Sequence, residues 1–203
     1  MFTGIVEACG RVENIVAEGT NLSFEISSPI SAELKIDQSV SHNGVCLTVT
    51  ACNAQSHWVT AVAETLTKTN LGDLTVGNSV NLERCMPANG RFDGHIVQGH
   101  VDQTGVCTKV QQLDGSWLFD FEYDATLGNF TVEKGSICIN GVSLTVFNSQ
   151  AGSFRVTIIP YTYEHTTFAN LREGQRVNLE FDVVGKYMRA LWQQSGYAAM
   201  PKL

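Results

Sequence analysis

The sequence predicts an all-β chain: two tandem, homologous six-stranded antiparallel barrels with a helix after the second. Three observations predict it. First, Asn43-Gly44-Val45-Cys46-Leu47-Thr48-Val49 returns as Asn140-Gly141-Val142-Ser143-Leu144-Thr145-Val146, 97 residues on, and Gly77-x-x-Val80-Asn81-Leu82-Glu83 returns as Gly174-x-x-Val177-Asn178-Leu179-Glu180 at the same offset. A repeat of about 95 residues is too long for a solenoid module and has the size of a small domain. Second, short runs of Val, Ile, Thr and Phe alternate with Gly, Asn, Asp and Ser. This is the pattern of many short strands, and closing them into a barrel removes the exposed edges of an open sheet. Third, the tail after Gly185 matches neither copy and spaces its apolar residues as a helix does.

Taken in order, the first copy opens with Gly4-Ile5-Val6, matched by Gly99-His100-Val101, and Gly10 is matched by Gly105. This edge sits two residues out of step with the rest. The slip is expected between Gly10 and Phe24, with the alternation of Leu22, Phe24 and Ile26 set against Phe119, Phe121 and Tyr123. Residues 31–34 and 126–130 read as short helical turns. Strands are expected at 45–51, 58–63 and 79–84 in the first copy and at 142–148, 155–159 and 176–181 in the second. Asn43-Gly44 and Asn140-Gly141 supply matched turns into strands, because both residue types tolerate positive φ. Residues 64–70 and 161–170 read as further helical turns ending in Asn-Leu. Met86-Pro87-Ala88-Asn89-Gly90 has linker chemistry, which divides the chain into residues 1–97, 98–185 and 186–203. The last piece holds Tyr187, Met188, Leu191 and Trp192 on one face of a helix from 186 to about 195, to be covered by another subunit or by its own barrel. Residues 196–203 are expected to be loose.

The 203 residues carry a net charge of −7 and are 43% hydrophobic. An acidic chain of ordinary globular composition argues against a general nucleic-acid binder, and no apolar run reaches the length of a membrane span. The start, Met1-Phe2-Thr3-Gly4-Ile5-Val6-Glu7, lacks the basic and apolar regions of a signal peptide. Six cysteines without a C-x-x-C pair read as reduced thiols of a cytoplasmic protein.

Where the copies agree, the demand is structural; where they differ in polar character, function is the candidate. Cys46 stands against Ser143, Ile5 against His100 and Ala61 against Ile158. Equivalent pockets therefore present different polar groups, which suits two sites that handle the same molecule in different roles. His95 and His100 are five residues apart and lack a third ligand at metal-binding spacing, so no metal is expected.

These motifs resemble riboflavin synthase. The likeness runs through Met-Phe-Thr-Gly-Ile-Val at the start, His42 to Val49, Glu64-Thr65-Leu66 with Thr69 to Leu74, Gly94-His95 with Gly99-His100-Val101-Asp102, and Asn140 to Val146, in the family's order and over residues 1 to about 190. The resemblance implies two Greek-key barrels and a C-terminal helix assembled as a homotrimer, with no cofactor and no metal. It implies dismutation of two molecules of 6,7-dimethyl-8-ribityllumazine into riboflavin and 5-amino-6-ribitylaminouracil, and it brings an association with lumazine synthase into view. A non-catalytic lumazine- or flavin-binding antenna protein of the same fold is the alternative.

By matching motifs, the resemblance places the first pocket at Cys46, Leu47, Thr48, Thr60, Ala61, Val62, Ala63, Glu64, Thr65, Gly99, His100 and Val101, with Lys134 from a neighbouring chain. It places the second at Gly4, Ile5, Val6, Ser143, Leu144, Thr145, Thr157, Ile158, Ile159, Pro160, Tyr161 and Thr162, with Phe2 as an aromatic nearby. His100, Ser143, Thr145, Cys46 and Asp182 fall where the family places residues implicated in catalysis. The lumazine C7 methyl is acidic because the ring delocalises the carbanion, so a modest base suffices. His100 or the Ser143 and Thr145 hydroxyls are candidates for moving that proton, Cys46 or water for adding to the acceptor ring, and Asp182 for orienting a neighbour or stabilising positive charge. Asn140, residues 161–165 and residues 86–92 depart from commoner forms of the family.

Overall fold

The structure, a computed structural model, describes residues 1–195. The expectation for residues 196–203 lies outside the described residues. Six strands form the first sheet: β1 (Ala8–Glu18), β2 (Asn21–Ser27), β3 (Ser39–His42), β4 (Val45–Cys52), β5 (Ser56–Ala61) and β6 (Ser79–Arg84). They close as β1-β2-β5-β4-β3-β6, with every pairing antiparallel. A short helix, α1 (Ala63–Lys68), follows β5.

The second sheet holds β7 (Gln103–Leu113), β8 (Ser116–Glu122), β9 (Ser136–Ile139), β10 (Val142–Thr145), β11 (Phe147–Gln150), β12 (Ser153–Ile158) and β13 (Arg176–Phe181). Its order is β10-β9-β13-β7-β8-β12-β11, a seven-stranded sheet that does not close. This corrects the expected second closed six-stranded barrel. In the first half, β4 is continuous and pairs with β3 at one end and β5 at the other. Its counterpart breaks at Val146, so β10 pairs with β9 and β11 with β12, and neither spans both neighbours. Asn148 takes a left-handed conformation (φ 51°) and the register slips between Phe147 and Gln150. The Val146 backbone bonds to Gly135 and Lys134 as Val49 bonds to Gln38 and Asp37 in the first half, so the two copies part only beyond this position.

The two-residue slip between the copies also lies elsewhere than expected. Phe24 pairs with Val59 and Phe119 pairs with Val156, so Phe119 is the counterpart of Phe24, and Phe121 of Ile26. The extra residues sit between β8 and β9. A shift of two keeps the same face of a strand buried, so alternation alone cannot detect it.

Each half has its own apolar core. The first centres on Phe24, Ile26, Val40, Val59 and Leu82. The second is richer in aromatics, with Phe119 edge-on to Phe168 at 5.1 Å and Phe121 stacked on Phe154 at 5.5 Å. The halves join through the repeated Asn-Gly turns. Asn43 and Asn140 both have φ 46°, and Gly44 and Gly141 have φ 81° and 82°, the double positive φ of a two-residue hairpin turn with matching twist. The turns meet back to back: a Cβ on Gly44 would lie 2.8 Å from the Gly141 nitrogen, and the converse holds. Around them, Asn81 Nδ2 donates to Asn140 O and Asn178 Nδ2 donates to Asn43 O, each at 2.8 Å.

After β13, α3 spans Val183–Gln194 and starts three residues before the expected 186, because Asp182 caps it by accepting from Val184 N at 2.9 Å. One side docks on its own chain: Lys186 Nζ meets Asp102 at 2.8 Å and Arg189 Nη1 donates to Leu127 O at 2.9 Å. Val184, Tyr187, Met188 and Leu191 form an i, i+3, i+4, i+7 stripe that stays exposed.

The first core contains a polar element absent from the second. His42 Nδ1 donates to Val40 O at 3.1 Å; since a carbonyl only accepts, His42 Nε2 accepts from His57 Nε2 at 2.9 Å, and His57 Nδ1 accepts from Ser31 Oγ at 3.1 Å. Ile139 and Phe154 occupy the corresponding places in the second half. Burial lowers both imidazoles from 6.5, His42 to about 3 and His57 to about 4. As pH falls below 6.5 the unfolded chain binds protons that the folded one refuses, so stability drops by up to about 1.4 kcal/mol per pH unit per histidine until about pH 4. We predict that the His42→Ile/His57→Phe double variant, copying the second half, flattens the acid limb of unfolding followed by urea titration between pH 6.5 and 4.

Candidate functional site

Each half is preceded by an extended arm, residues 2–6 and 98–102, and each arm crosses to the other half. Val6 packs on the second core, and Val101 packs on the first. Gly4 O accepts from Ser143 N at 2.7 Å, and Gly99 O accepts from Cys46 N at 2.9 Å. The approach is close enough to require glycine: a Cβ on Gly4 would lie 2.6 Å from Ser143 Cβ, and one on Gly99 2.5 Å from Cys46 Cβ. Phe2, fully buried, bridges to Val97 by two backbone bonds of 2.7 and 3.1 Å and ties the arms together.

Two buried carboxylates hold the arms. Glu83, at the end of β6, accepts from Thr3 N (2.6 Å), Thr3 Oγ1 (2.8 Å) and Gly4 N (2.9 Å). Glu180, at its repeat position on β13, accepts from Gln98 N (2.6 Å), Gly99 N (2.9 Å) and His100 N (2.8 Å). Burial pushes both carboxyls above their ordinary value, and the amide donors pull them back. The repeated Val-Asn-Leu-Glu marks both glutamates in the sequence, but their partners lie about 80 residues away, beyond the reach of local pattern.

The first site gathers around β4. Cys46 and Thr48 point outward while Leu47 is buried. Thr60 bonds Ser23 at 2.8 Å, Ala61 is buried, and Val62, Ala63 and Glu64 lead out into α1 with Thr65 half-buried. Gly99, His100 and Val101 cover it from the other half, with the His100 side chain exposed. Burial pushes the Cys46 thiol up, with the Ser39 hydroxyl opposing, so Cys46 stands as a thiol at neutral pH. Within one chain, Lys134 is not part of this site. It sits at the entry to β9 with φ 63°, its ammonium 5.7 Å from the Phe147 ring.

The second site gathers Ser143, Leu144 and Thr145 of β10 with Gly4, Ile5 and Val6. Thr157, Ile158 and Ile159 lead into a short helix, α2 (Pro160–His165), which carries Tyr161 and Thr162. Ile5, Ile159 and Tyr161 are exposed. Trp117 stacks on Tyr163 at 3.9 Å beneath α2, where the first half has Leu22 and Leu66. One residue outside the site list drawn from the resemblance enters here: His95 Nδ1 lies 2.6 Å from Ser143 Oγ. Asp182 acts electrostatically on His95 while its carboxylate caps α3. No cluster of three or more His, Cys, Asp or Glu able to hold a metal occurs among the described residues.

Comparison with known proteins follows the duplication. Residues 3–85 and 98–182 each match the lumazine binding domain. The chain is 41% identical over 189 residues to riboflavin synthase of Bacillus subtilis (strain 168), covering 93% of this chain and 88% of that one. It is 41% identical over 201 residues to riboflavin synthase of Mycobacterium tuberculosis (strain ATCC 25618 / H37Rv), covering 97% and 100%. Among solved structures, LumP complexed with 6,7-dimethyl-8-(1'-D-ribityl) lumazine superposes with a TM-score of 0.81 at 21% identity, over 89% of this chain and 98% of that one. LumP complexed with riboflavin superposes with a TM-score of 0.82 at 23% identity, over 89% and 99%. At this identity the structural likeness speaks for the fold.

The carboxylate clamp makes a direct prediction. Glu180→Ala leaves the amides of Gln98, Gly99 and His100 without their acceptor. We expect a loss of about 3 kcal/mol in urea unfolding, with Glu180→Gln losing less, because a charged acceptor of several amides is costly to remove.

Proposed function

The chain belongs to the riboflavin synthase family, and from that premise we infer that it joins two molecules of 6,7-dimethyl-8-ribityllumazine, moving a four-carbon unit from one to the other to give riboflavin and 5-amino-6-ribitylaminouracil. The observation that carries the reading is the pair of arm-completed sites: the same frame is built twice, with Cys46 and His100 in one and Ser143 in the other. A dismutation needs two copies of one substrate in different roles, and two related pockets with different polar groups supply that. The antenna alternative is the weaker reading, since 41% identity over 93% of the chain is to a riboflavin synthase.

Cys46, Thr48, Thr60, Glu64, Thr65 and His100 are the groups we assign to one bound lumazine, and Ser143, Thr145, Thr157 and Thr162 to the other. The enzyme works as a homotrimer, with the first site of one subunit facing the second site of its neighbour. The exposed stripe of Val184, Tyr187, Met188 and Leu191 supports assembly, because α3 already docks through its other side. Facing the pockets across two chains supplies the orientation that a reaction between two bound rings requires. Its cytoplasmic location is read from six free cysteines.

Purified protein given the lumazine alone is expected to form one riboflavin for every two lumazines consumed, followed by riboflavin absorbance. Stoichiometric binding without turnover would favour the antenna reading. Truncation after Gly185 removes Tyr187, Met188 and Leu191. Sedimentation of that variant is expected to show loss of the trimer together with activity, while circular dichroism stays that of folded sheets. A fully active monomer would overturn the shared site.

A further inference from the structure

We infer that His95 is the positioning residue of the second site: it holds the Ser143 hydroxyl and takes its proton as that hydroxyl accepts one from the C7 methyl group of the bound lumazine. The inference rests on the dismutation reading and assigns the proton-abstracting role to the second site.

The geometry is built for this contact. His95 Nδ1 lies 2.6 Å from Ser143 Oγ, at the short end for such a pair. The ring is delivered by a segment with little freedom. His95 N donates to Thr3 O at 3.1 Å, and Thr3 is itself held by Glu83. Gly94 runs so close that a Cβ there would lie 2.1 Å from Thr3 O and 3.0 Å from both Ser143 Cβ and Oγ. Ser143 is fixed from the other side by donation from its amide to Gly4 O at 2.7 Å. The first site lacks this arrangement: Cys46 has the Ser39 hydroxyl beside its thiol. The first site has an imidazole of its own, His100, but that side chain is exposed, whereas in the second site the His95 ring is held against the Ser143 hydroxyl.

With the proton on Nε2, Nδ1 accepts from the serine hydroxyl. When the C7 methyl C–H bond breaks, its electron pair delocalises into the lumazine ring. The methyl proton passes to Ser143 Oγ, and the hydroxyl's own proton passes to His95 Nδ1. A neutral serine and an imidazolium remain, with Asp182 the charged neighbour that favours the imidazolium. Thr3 and Ser143, packed against the ring's segment, carry no charge, and Asp93 lies two residues before it. Burial lowers the imidazole from its ordinary value and Asp182 raises it, so it is a neutral acceptor at pH 7.

The test uses full-length protein in deuterated buffer, reading riboflavin formation and loss of the C7 methyl proton signal by NMR against a protein-free control. His95→Asn keeps a polar group close to Nδ1 but cannot take a proton. Its kcat and its enzyme-dependent exchange are expected to fall together, by about 100-fold or more, with KM little changed and the acid limb of the kcat profile lost. Wild-type kcat, exchange and acid limb in His95→Asn, or a loss confined to KM, would overturn the inference. If that variant does not fold, Ser143→Ala provides the second arm: it should lose exchange as severely. In folded protein, the Ser143→Ala/His95→Asn double variant should be no slower than Ser143→Ala alone; multiplying losses would show that the two do not act as a unit. A wild-type protein that neither exchanges nor forms riboflavin sinks the dismutation reading and this inference with it. Wild-type turnover with unimpaired variants sinks the inference alone.

Discussion

The reciprocal asparagine junction is the constraint on which the rest depends. Asn81 reaches from the first half to the turn carbonyl of Asn140, and Asn178 reaches from the second to that of Asn43. Both amides are buried, where an unmade bond costs more than a made one contributes. The halves can therefore adopt few relative orientations without leaving donors unmet. Asn43 Oδ1 also accepts from Asn81 N, and Asn140 Oδ1 from Asn178 N, so each turn is fixed within its own half by the residue type that joins it to the other. Asn70 and Thr167 extend the junction across the same seam.

That orientation makes the crossed arms work. Once the halves are locked, residues 2–6 lie along β10 and residues 98–102 along β4, each with its carbonyl bonded to the strand it covers. Glu83 and Glu180 anchor each arm to the half that follows it in sequence, and the arm's tip completes a site on the other half. Neither site is then the property of one copy. The crossing lets each copy contribute residues to both candidate sites.

The differences between the copies concentrate where that contribution matters. The first core tolerates a neutral histidine pair because Val40 and Ser31 satisfy both ends of the chain of hydrogen bonds. The second fills the same space with aromatics, stacks Trp117 under α2 and splits the strand that carries Ser143. Ser143 is positioned by its pairing with Cys138 on β9, by the Gly4 arm and by His95.

The duplicated sequence alone determined the two-unit architecture, the Asn-Gly hairpin turns, the short helical turns and α3, while Gly4 beside Ser143 and Gly99 beside Cys46 came only through the family resemblance. The architecture, turns and α3 follow from local preference and from a repeat whose matched positions must share an environment. It did not determine where the two-residue slip falls, because a shift of two preserves which face of a strand is buried. Closure of the second sheet was also beyond it: the break at Val146 goes with one left-handed residue, Asn148, where the first half has Ala51 without a positive φ. Likewise Glu83, Glu180 and His95 look like ordinary polar residues until folding brings the arms to them across 48 to 82 positions of chain. Local pattern reports what a segment prefers, whereas a buried carboxylate or imidazole is defined by the distant donors and acceptors that satisfy it, and only the tertiary structure supplies those.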